Sequence, residues 1–444
     1  MSQESKDNYQ SLREEFEWNP PTEYNFAEDV IDFWARQDES RLAMKWVDDH
    51  DNRREVTFSE LSSRSKQVAN ALSGLGVLRG EVIILVVGRE VEWWEVLTGS
   101  IRMGAVCSPG TTQLSPKDIA YRIQASKATC FISDRENALK LNEVFNECPT
   151  LKAKLVIGDS LPGWDSYEDI IHSTSGDFKK IGTKFDEHAL CYFTSGTTGT
   201  PKGVVLSYGA NDETKVLTQD SNPLKINFDG ENHFFSYLPL NHIAERIVVE
   251  HTCFRFGGTI SFTESLETFA QNLQVTQPTV FFAVPRIWTK FQLGILGKLP
   301  QKKLNTLLRI PLISGLLKKK FKKALGLSRA RAKVSGAAPM QEGQRVWFRK
   351  KGIDITNGYG MTENCAITTQ LDGKITNKPG SVGLAQTGVE LKIDPKNGEI
   401  LMRGPFLMDG YYKDKKTTEK TIVNGWLHTG DQGYMDEEGF LFIT

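Results

Sequence analysis

Residues 189–206 read ALCYFTSGTTGTPKGVVL, a loop rich in glycine and hydroxyl side chains between two apolar runs. The apolar runs, residues 190–193 and 204–206, have the character of strands, so the loop is predicted to be a hairpin-like connection carried on a sheet. The loop itself contains Thr194, Ser195, Gly196, Thr197, Thr198, Gly199, Thr200, Pro201, Lys202 and Gly203.

The composition of this loop suits phosphate binding. Glycines let backbone N–H groups approach an anion, the hydroxyls add donors, and Lys202 supplies a mobile cation. The loop differs from a Walker A loop, in which Gly directly precedes the Lys and Ser or Thr follows it. Here Lys202 lies between Pro201 and Gly203. A flexible surface linker is the alternative, but linkers seldom lie between two apolar strands.

Two later segments carry matching chemistry. In NGYGMTE at residues 357–363, Tyr359 is a flat ring between glycines that suits a purine, and Thr362 and Glu363 suit a phosphate and its Mg²⁺. In HTGDQGYMD at residues 428–436, Asp431 lies in a glycine-flanked turn where a carboxylate accepts hydrogen bonds from sugar hydroxyls. Taken alone, NGYGMTE is equally consistent with an ordinary turn that exposes an acid.

These segments resemble the signatures of the adenylate-forming enzymes, and the chain is similar to acyl-CoA synthetases of that superfamily over nearly its whole length. GEILMRGPFLMDGYY at residues 398–412 and GWLHTGDQGYMDEEGFLFI at residues 425–443 match in the same order. The resemblance implies an α/β fold with two layered, parallel-rich sheets, helices on both faces and a small β-barrel.

The resemblance also implies a role for each candidate residue. Lys202 and the loop hydroxyls would hold the polyphosphate of ATP, Tyr359 would pack on the adenine, and Asp431 would hold the ribose. Gly360 is a further nucleotide-binding candidate. Thr362 would contact the α-phosphate and Glu363 would bind Mg²⁺. SGAAP at residues 335–339 resembles the stretch between the nucleotide and acyl pockets, which makes Gly336 and Ala337 candidates. A strand end with a tight turn explains SGAAP equally well.

The implied reaction is attack of a carboxylate on the α-phosphorus of ATP, which gives an acyl-adenylate that CoA then consumes. SYLPLNHIAER at residues 236–246 resembles the acyl-binding side of long-chain acyl-CoA synthetases, and His242 matches its histidine. Amino-acid-activating relatives have an Asp here, and residues 240–246 contain none, so a fatty acid is predicted. Residues 91–113 and 147–165 instead resemble medium-chain synthetases, so chain length stays open.

Composition agrees with a globular enzyme. The chain has 444 residues, 39% of them hydrophobic and 25% charged, which predicts a large core and two to four structural units. The net charge of −1 gives no reason to expect a nucleic-acid partner. The cysteines lack zinc-site or disulfide spacing, which favours a reducing compartment; they are Cys107, Cys130, Cys148, Cys191, Cys253 and Cys365. The oligomeric state stays open.

Residues 1–21 are polar and lack the apolar core of a signal peptide, and no apolar run reaches the length of a membrane span. A cytoplasmic location is therefore expected. Residues 313–333, ISGLLKKKFKKALGLSRARAK, predict a basic amphipathic helix. It has three open interpretations: contact with an anionic membrane, attraction of CoA phosphates, or an ordinary solvated helix.

Apolar runs that alternate with helical periodicity predict parallel βα units with helices on both faces of a sheet. We predict three segments. Residues 1–190 form a first α/β subdomain, residues 191–355 a second one with the phosphate loop, and residues 356–444 carry the adenine and ribose motifs and a small β-barrel.

In the family, the phrase matching GFLFIT precedes a hinge and a small mobile domain with a second catalytic lysine. Thr444 ends this sequence, so that domain is expected to be absent from this chain and adenylation impaired, and it stays open whether the gene also lacks the domain. Two alternatives stay open: a non-catalytic module that binds ATP or an acyl group, and a ligase that forms acyl-AMP for a carrier protein.

Overall fold

A computed structural model describes residues 3–47, 53–194, 199–210, 222–228, 230–263, 265, 267–370 and 378–444. The α-helices are α1 Gln3–Glu14, α2 Asp32–Gln37, α3 Phe58–Gly74, α4 Val91–Arg102, α5 Pro116–Ser126, α6 Arg135–Val144, α7 Tyr167–Ser173, α8 Thr252–Arg255, α9 Phe269–Thr276, α10 Pro285–Lys298, α11 Gln301–Leu308, α12 Pro311–Ala324, α13 Glu342–Arg349 and α14 Lys415–Thr421. Two π-helical turns span Ala27–Ile31 and Glu245–His251, and two 3₁₀ turns span Phe145–Glu147 and Thr362–Asn364.

The strands are β1 Leu42–Val47, β2 Arg53–Thr57, β3 Val82–Val86, β4 Val106–Pro109, β5 Cys130–Asp134, β6 Ala153–Ile157, β7 Asp165–Ser166, β8 His188–Thr194, β9 Lys202–Ser207, β10 His233–Ser236, β11 Thr259–Phe262, β12 Val280–Ala283, β13 Ala332–Ser335, β14 Thr356–Asn357, β15 Thr369–Gln370, β16 Leu384–Ala385, β17 Glu390–Ile393, β18 Glu399–Arg403, β19 Gly410–Tyr411, β20 Ile422–Val423, β21 Trp426–Met435 and β22 Leu441–Ile443.

The first sheet has eight strands in the order β19-β9-β8-β4-β3-β5-β6-β7. Strands β3 to β8 pair in parallel, whereas β9 is antiparallel to β8 and β19 is antiparallel to β9. Every residue of β3 is buried, as expected for a central strand with both faces covered. The pairing of Thr194 with Lys202 confirms the predicted hairpin.

Two further parallel-rich sheets lie side by side. One has the order β10-β11-β1-β2 and the other β12-β13-β14. The backbone N–H of Thr279 donates to the carbonyl of His233 at 2.8 Å, which joins the two sheets at their edges. Because β12, β13 and β14 pair in parallel, their carboxyl ends meet at one edge of the sheet. Ala283, Ser335 and Asn357 end the three strands there.

The sheets exchange strands across the three segments predicted from the sequence. Met44 in β1 pairs with Ile260 in β11, and Gly410 in β19 pairs with Val205 in β9. The division at residues 190 and 355 stays a prediction. In the last segment, β17, β18, β20, β21 and β22 form an antiparallel sheet where the small barrel is expected.

The basic segment forms a helix that is shorter than the predicted region. Helix α12 ends at Ala324, and Gly326 follows with a φ of +70°, a left-handed conformation that terminates helices. Residues 332–333 already belong to β13. Within the described ranges, none of the helices combines the length and the apolar character needed to cross a membrane.

Candidate functional site

A cavity of about 550 Å³ lies where the large sheets meet the C-terminal strands. Most of the candidate residues line it, although they are scattered along the sequence. These are Thr194, Lys202, His242, Gly336, Ala337, Tyr359, Gly360, Thr362 and Glu363. Parallel strands explain part of this convergence, because SGAAP and NGYGMTE both start at carboxyl ends of neighbouring strands.

The phosphate-loop candidates are only partly described. Thr194 and Lys202 face the cavity from the ends of β8 and β9. Gly199 has a φ of +80°, a left-handed conformation that favours glycine, and Thr200 lines a smaller neighbouring cavity of about 230 Å³. The predictions on Ser195, Gly196, Thr197 and Thr198 lie outside the described residues.

The NGYGMTE segment forms a tight turn held by a residue that sequence reasoning missed. The buried Asn364 accepts from the backbone N–H of Met361 at 2.9 Å and donates to the carbonyl of Ile367 at 2.9 Å. Gly360 packs so closely that an added Cβ would lie 2.4 Å from backbone atoms of Ala366. This packing fixes Thr362 and Glu363 at the cavity wall.

Glu363 is an acidic group close to the hairpin of β8 and β9. Its side chain is largely buried, and its Oε1 accepts a hydrogen bond from Tyr411 at 3.0 Å. The Nζ of Lys202 lies 5.1 Å from the centroid of the Tyr411 ring. Tyr411 therefore contacts both candidates. It lies inside the segment at residues 398–412, but nothing in its local sequence indicated this contact.

One carboxylate at this position fits a magnesium ion that is held mainly by substrate. Mg²⁺ is commonly bound by one or two carboxylates together with phosphate oxygens, not by a complete protein cage. Glu363 offers such a carboxylate, and Thr362 offers a neighbouring hydroxyl. The donor set on this wall therefore fits Mg²⁺ bound together with a polyphosphate.

Tyr359 and Asp431 are in direct contact. The Tyr359 hydroxyl donates to Oδ2 of Asp431 at 2.5 Å. Burial, together with the hydrogen bond to and the charge of Asp431, raises the pKa of Tyr359, so the phenol stays protonated near neutral pH. The Tyr359 backbone N–H donates to Thr369 at 3.0 Å, which fixes the base of the ring. Asp431 thus joins the site through Tyr359.

Two polar residues next to Asp431 were also missed by sequence reasoning. Glu399 and His428 both line the cavity, and Nδ1 of His428 lies 3.0 Å from Oε2 of Glu399. Both belong to segments that matched the adenylate-forming pattern, so proximity to a motif was the available signal. Their contact across two strands was not visible in the sequence.

The remaining wall of the cavity is mainly apolar. His242 faces the cavity, its Nδ1 accepts from the backbone N–H of Ala244 at 3.1 Å, and the surrounding protein lowers its pKa because it disfavours the charged ring. The apolar lining comes from Pro223, Leu224, Ile243, Val248, Phe282, Val334 and Ile367.

Gly336 and Ala337 separate this apolar wall from the Tyr359 turn. A Cβ added at Gly336 would lie 3.1 Å from the Phe282 ring and 3.4 Å from the carbonyl oxygen of Gly358. Ala337 has a φ of +62°, a conformation that few residues with a side chain adopt. A strained turn of small residues at a cavity wall is typical of a ligand contact.

The sequence is similar to those of known acyl-coenzyme A synthetases. Mitochondrial acyl-coenzyme A synthetase ACSM3 of Mus musculus is 29% identical over 468 residues, which cover 98% of this chain and 75% of the relative. Human acyl-coenzyme A synthetase ACSM5, also mitochondrial, is 28% identical over 449 residues, which cover 95% and 72%. The chain thus spans about three quarters of the length of these relatives.

Solved structures show the same fold. The anthranilate CoA ligase AuaEII, in complex with anthranoyl-AMP, superposes with a TM-score of 0.80 at 23% identity, covering 96% of this chain and 78% of the ligase. The N-terminal domain of FACL13 from Mycobacterium tuberculosis gives 0.75 at 22%, covering 95% and 99%. Residues 31–412 match the AMP-binding enzyme profile. The chain therefore belongs to the AMP-binding enzyme family, the adenylate-forming superfamily that its motifs predicted.

Proposed function

We propose that the protein uses ATP to convert the carboxylate of a fatty acid into an acyl-adenylate, the first half-reaction of a fatty-acyl-CoA synthetase. The observation that carries the proposal is one cavity with two kinds of wall. The hairpin of Lys202 and the turn of Tyr359 and Glu363 form a polar wall, and apolar side chains near His242 form the other.

The reaction needs positioning more than covalent help from the protein. A carboxylate oxygen attacks the α-phosphorus, the bond from that phosphorus to the bridging oxygen breaks, and pyrophosphate leaves with the bonding electron pair. Lys202, Thr194 and Thr362 are placed to balance the charge on the phosphoryl oxygens. Bound Mg²⁺ would add positive charge beside Glu363.

A fatty acid fits the cavity better than an amino acid does. A substrate ammonium group would need a carboxylate near the apolar wall. Among the residues that the structure describes, the carboxylates that line the cavity, Glu363 and Glu399, belong to the polar wall with Tyr411 and His428. Leu224, Ile243 and Val248 instead offer contacts for an alkyl chain. Chain length, whether long or medium, is left to experiment.

CoA is the proposed acceptor of the acyl group, since the similar proteins are named acyl-coenzyme A synthetases. A carrier protein is the alternative acceptor. The test is incubation with ATP, Mg²⁺ and fatty acids of graded length, with acyl-AMP and pyrophosphate measured by mass spectrometry and a coupled assay. CoA and an acylatable carrier protein are then added in parallel.

The outcomes separate the candidate functions. Acyl-AMP with equimolar pyrophosphate supports the proposal, and transfer to CoA or to the carrier identifies the acceptor. ATP binding by calorimetry without pyrophosphate release would favour a non-catalytic binding module. Absence of both ATP binding and adenylate rejects the enzyme assignment.

We also propose that the protein is cytoplasmic and that α12 contacts a membrane surface. Cell fractionation tests the location. Leu312 and Leu316 lie one turn apart on this helix with exposed fractions of 85% and 70%. Residues 285–324, which form α10, α11 and α12, contain 11 Lys and Arg and no Asp or Glu. Exposed leucines beside lysines fit an anionic lipid surface.

Flotation with vesicles that contain phosphatidylserine tests the membrane contact. We expect wild type to float with these vesicles and not with neutral ones, and a Leu312→Ser, Leu316→Ser variant to lose flotation. Leu139→Ser, at a 46% exposed position on α6, is the matched control. Equal flotation of all variants would contradict the proposed surface.

A further inference from the structure

The pairing of β18 with β21 is irregular beside the cavity. Glu399 pairs with Gln432 and Leu401 pairs with His428, so a two-residue step on β18 faces a four-residue step on β21. The extra residues on β21 form a bulge that contains Asp431. Bulges of this kind redirect side chains next to active sites.

Gly430 gives the bulge its shape. Its φ of +77° lies in the left-handed region, and a Cβ there would meet nothing within 4 Å, so conformation and not space favours glycine. Such a bulge leaves backbone groups without their usual strand partners, and these groups need other acceptors.

Glu399 supplies the missing acceptor. Its Oε1 accepts from the backbone N–H of Gly430 at 2.9 Å, and its Oε2 lies 3.0 Å from Nδ1 of His428. Burial alone would raise the pKa of Glu399, but the hydrogen bonds from His428 and from Gly430 outweigh it, and the pKa lies below its ordinary value. One ionised carboxylate therefore connects His428, at the start of the bulge, with Gly430 in its middle.

Further hydrogen bonds connect the bulge to Tyr359. The Thr429 hydroxyl donates to the carbonyl of Ile400 at 2.8 Å and accepts from the backbone N–H of Asp431 at 3.1 Å. Asp431 then accepts from the Tyr359 hydroxyl. Hydrogen bonds, together with the backbone of residues 429–431, therefore link Glu399 to Asp431 and Tyr359, the two proposed nucleotide contacts.

We propose that Glu399 and His428 form a positioning pair that sets the Asp431 carboxylate for the ribose hydroxyls of the nucleotide. This inference rests on the proposed ATP site. Glu399 acts through Gly430 and His428 and does not itself need to contact the ligand. Loss of the pair removes recognition of the ribose hydroxyls and leaves recognition of the base and the phosphates.

The test compares the affinities of ATP and 3′-deoxy-ATP by calorimetry in the full chain. We expect wild type to prefer ATP about tenfold, the size of one hydrogen bond to a charged group. Glu399→Gln should lower this ratio towards that of Asp431→Ala, while the affinity for 3′-deoxy-ATP stays unchanged. Glu390→Gln is the matched control, because Glu390 pairs with Arg403 on the same sheet.

A second pair of variants keeps the test independent of the folding of Glu399→Gln. His428→Asn retains an N–H donor near the position of Nδ1 and should preserve the ratio, whereas His428→Leu should lower it. A merely structural role would weaken both nucleotides equally and would also lower the thermal midpoint.

Failure of the inference and failure of the proposed function give different results. If wild type prefers ATP and Glu399→Gln keeps the full preference, the positioning role is wrong and the ATP site stands. Equal weakening of both nucleotides in Glu399→Gln overturns the inference as well. If wild type binds neither nucleotide, the proposed function itself fails.

Discussion

The hydroxyl of Tyr411 donates a hydrogen bond of 3.0 Å to Oε1 of Glu363, and the same ring lies under the ammonium group of Lys202. Burial, with the charge of Glu363 and the hydrogen bond to it, raises the pKa of Tyr411, so the phenol keeps its proton and donates near neutral pH. The Tyr411 side chain thus lies between the ammonium group of Lys202, which is proposed to bind phosphate, and the carboxylate of Glu363, which is proposed to bind the metal ion.

Replacing Tyr411 with Phe should slow adenylation about tenfold or more. The ring below Lys202 would stay, but Glu363 would lose a hydrogen bond, and bonds to charged groups are worth about 1.5–3 kcal/mol. The assay is ATP–pyrophosphate exchange at several Mg²⁺ concentrations, in which the variant should need more Mg²⁺. Tyr412→Phe is the neighbouring control, since Tyr411 lines the larger cavity and Tyr412 does not. Equal rates in both variants would count against the contact.

Replacing Lys202 with Ala should reduce kcat/KM for adenylation by about two orders of magnitude, as loss of a donor to developing charge does in other enzymes. The thermal midpoint should change little, because Lys202 is only half-buried at the end of β9. Pyrophosphate exchange measures the activity. Lys416→Ala, at an exposed position on α14, should behave like wild type. An unchanged rate in Lys202→Ala would exclude Lys202 from the reaction.

Local sequence patterns predicted much of the fold. Short buried apolar runs such as β3 and β12 predict parallel strands, and the glycine- and threonine-rich loop between two such runs predicts the hairpin of β8 and β9. The pairing of β1 with β11 was not predictable, because it joins residues far apart in sequence without a distinctive pattern. The same reason applies to β19, which completes the first sheet.

Motif residues that the sequence predicted line the cavity, but the residues that position them were not predicted. Tyr359 and Glu363 are recognisable because glycines and small polar groups surround them in one segment. Tyr411 and Glu399 act through partners 48 and 31 positions away, and such contacts depend on strand pairing and on the bulge in β21. Residue type alone did not distinguish them from other polar side chains.

Replacing Gly360 with Ala should weaken nucleotide binding. Its Cβ would lie 2.4 Å from the backbone of Ala366, and the backbone on which Thr362 and Glu363 are carried would have to move. We expect the affinity for ATP, measured by calorimetry, to fall at least tenfold, since a displacement of about 1 Å is costly at a binding site. Gly343→Ala is the control, because a Cβ there meets nothing within 4 Å. Full ATP affinity in Gly360→Ala would show that the turn tolerates the movement.

The π-helical turn Glu245–His251 places two carboxyl groups in the core behind the apolar wall. Glu245 and Glu250 are 0% and 1% exposed. Burial raises the pKa of Glu245 to about 8 and that of Glu250 to about 7, and the nearby Arg89 and Arg246 only partly offset it. Burial lowers the pKa of His251, so this ring stays neutral at every pH above the ordinary pKa of histidine.

The stability of the protein should therefore fall as pH rises from 6.5 to about 8. An unfolded Glu ionises near pH 4.3, so in this window the folded Glu245 holds a proton that the unfolded chain has lost, and stabilisation disappears as pH rises through the folded pKa. Each pH unit within this window lowers the free energy of unfolding by up to about 1.4 kcal/mol per carboxyl. Thermal midpoints at pH 6.5, 7.5 and 8.5 should drop less in Glu245→Gln than in wild type. Glu143→Gln, exposed on α6, should follow wild type, and parallel curves for all three proteins would show that Glu245 is ionised throughout.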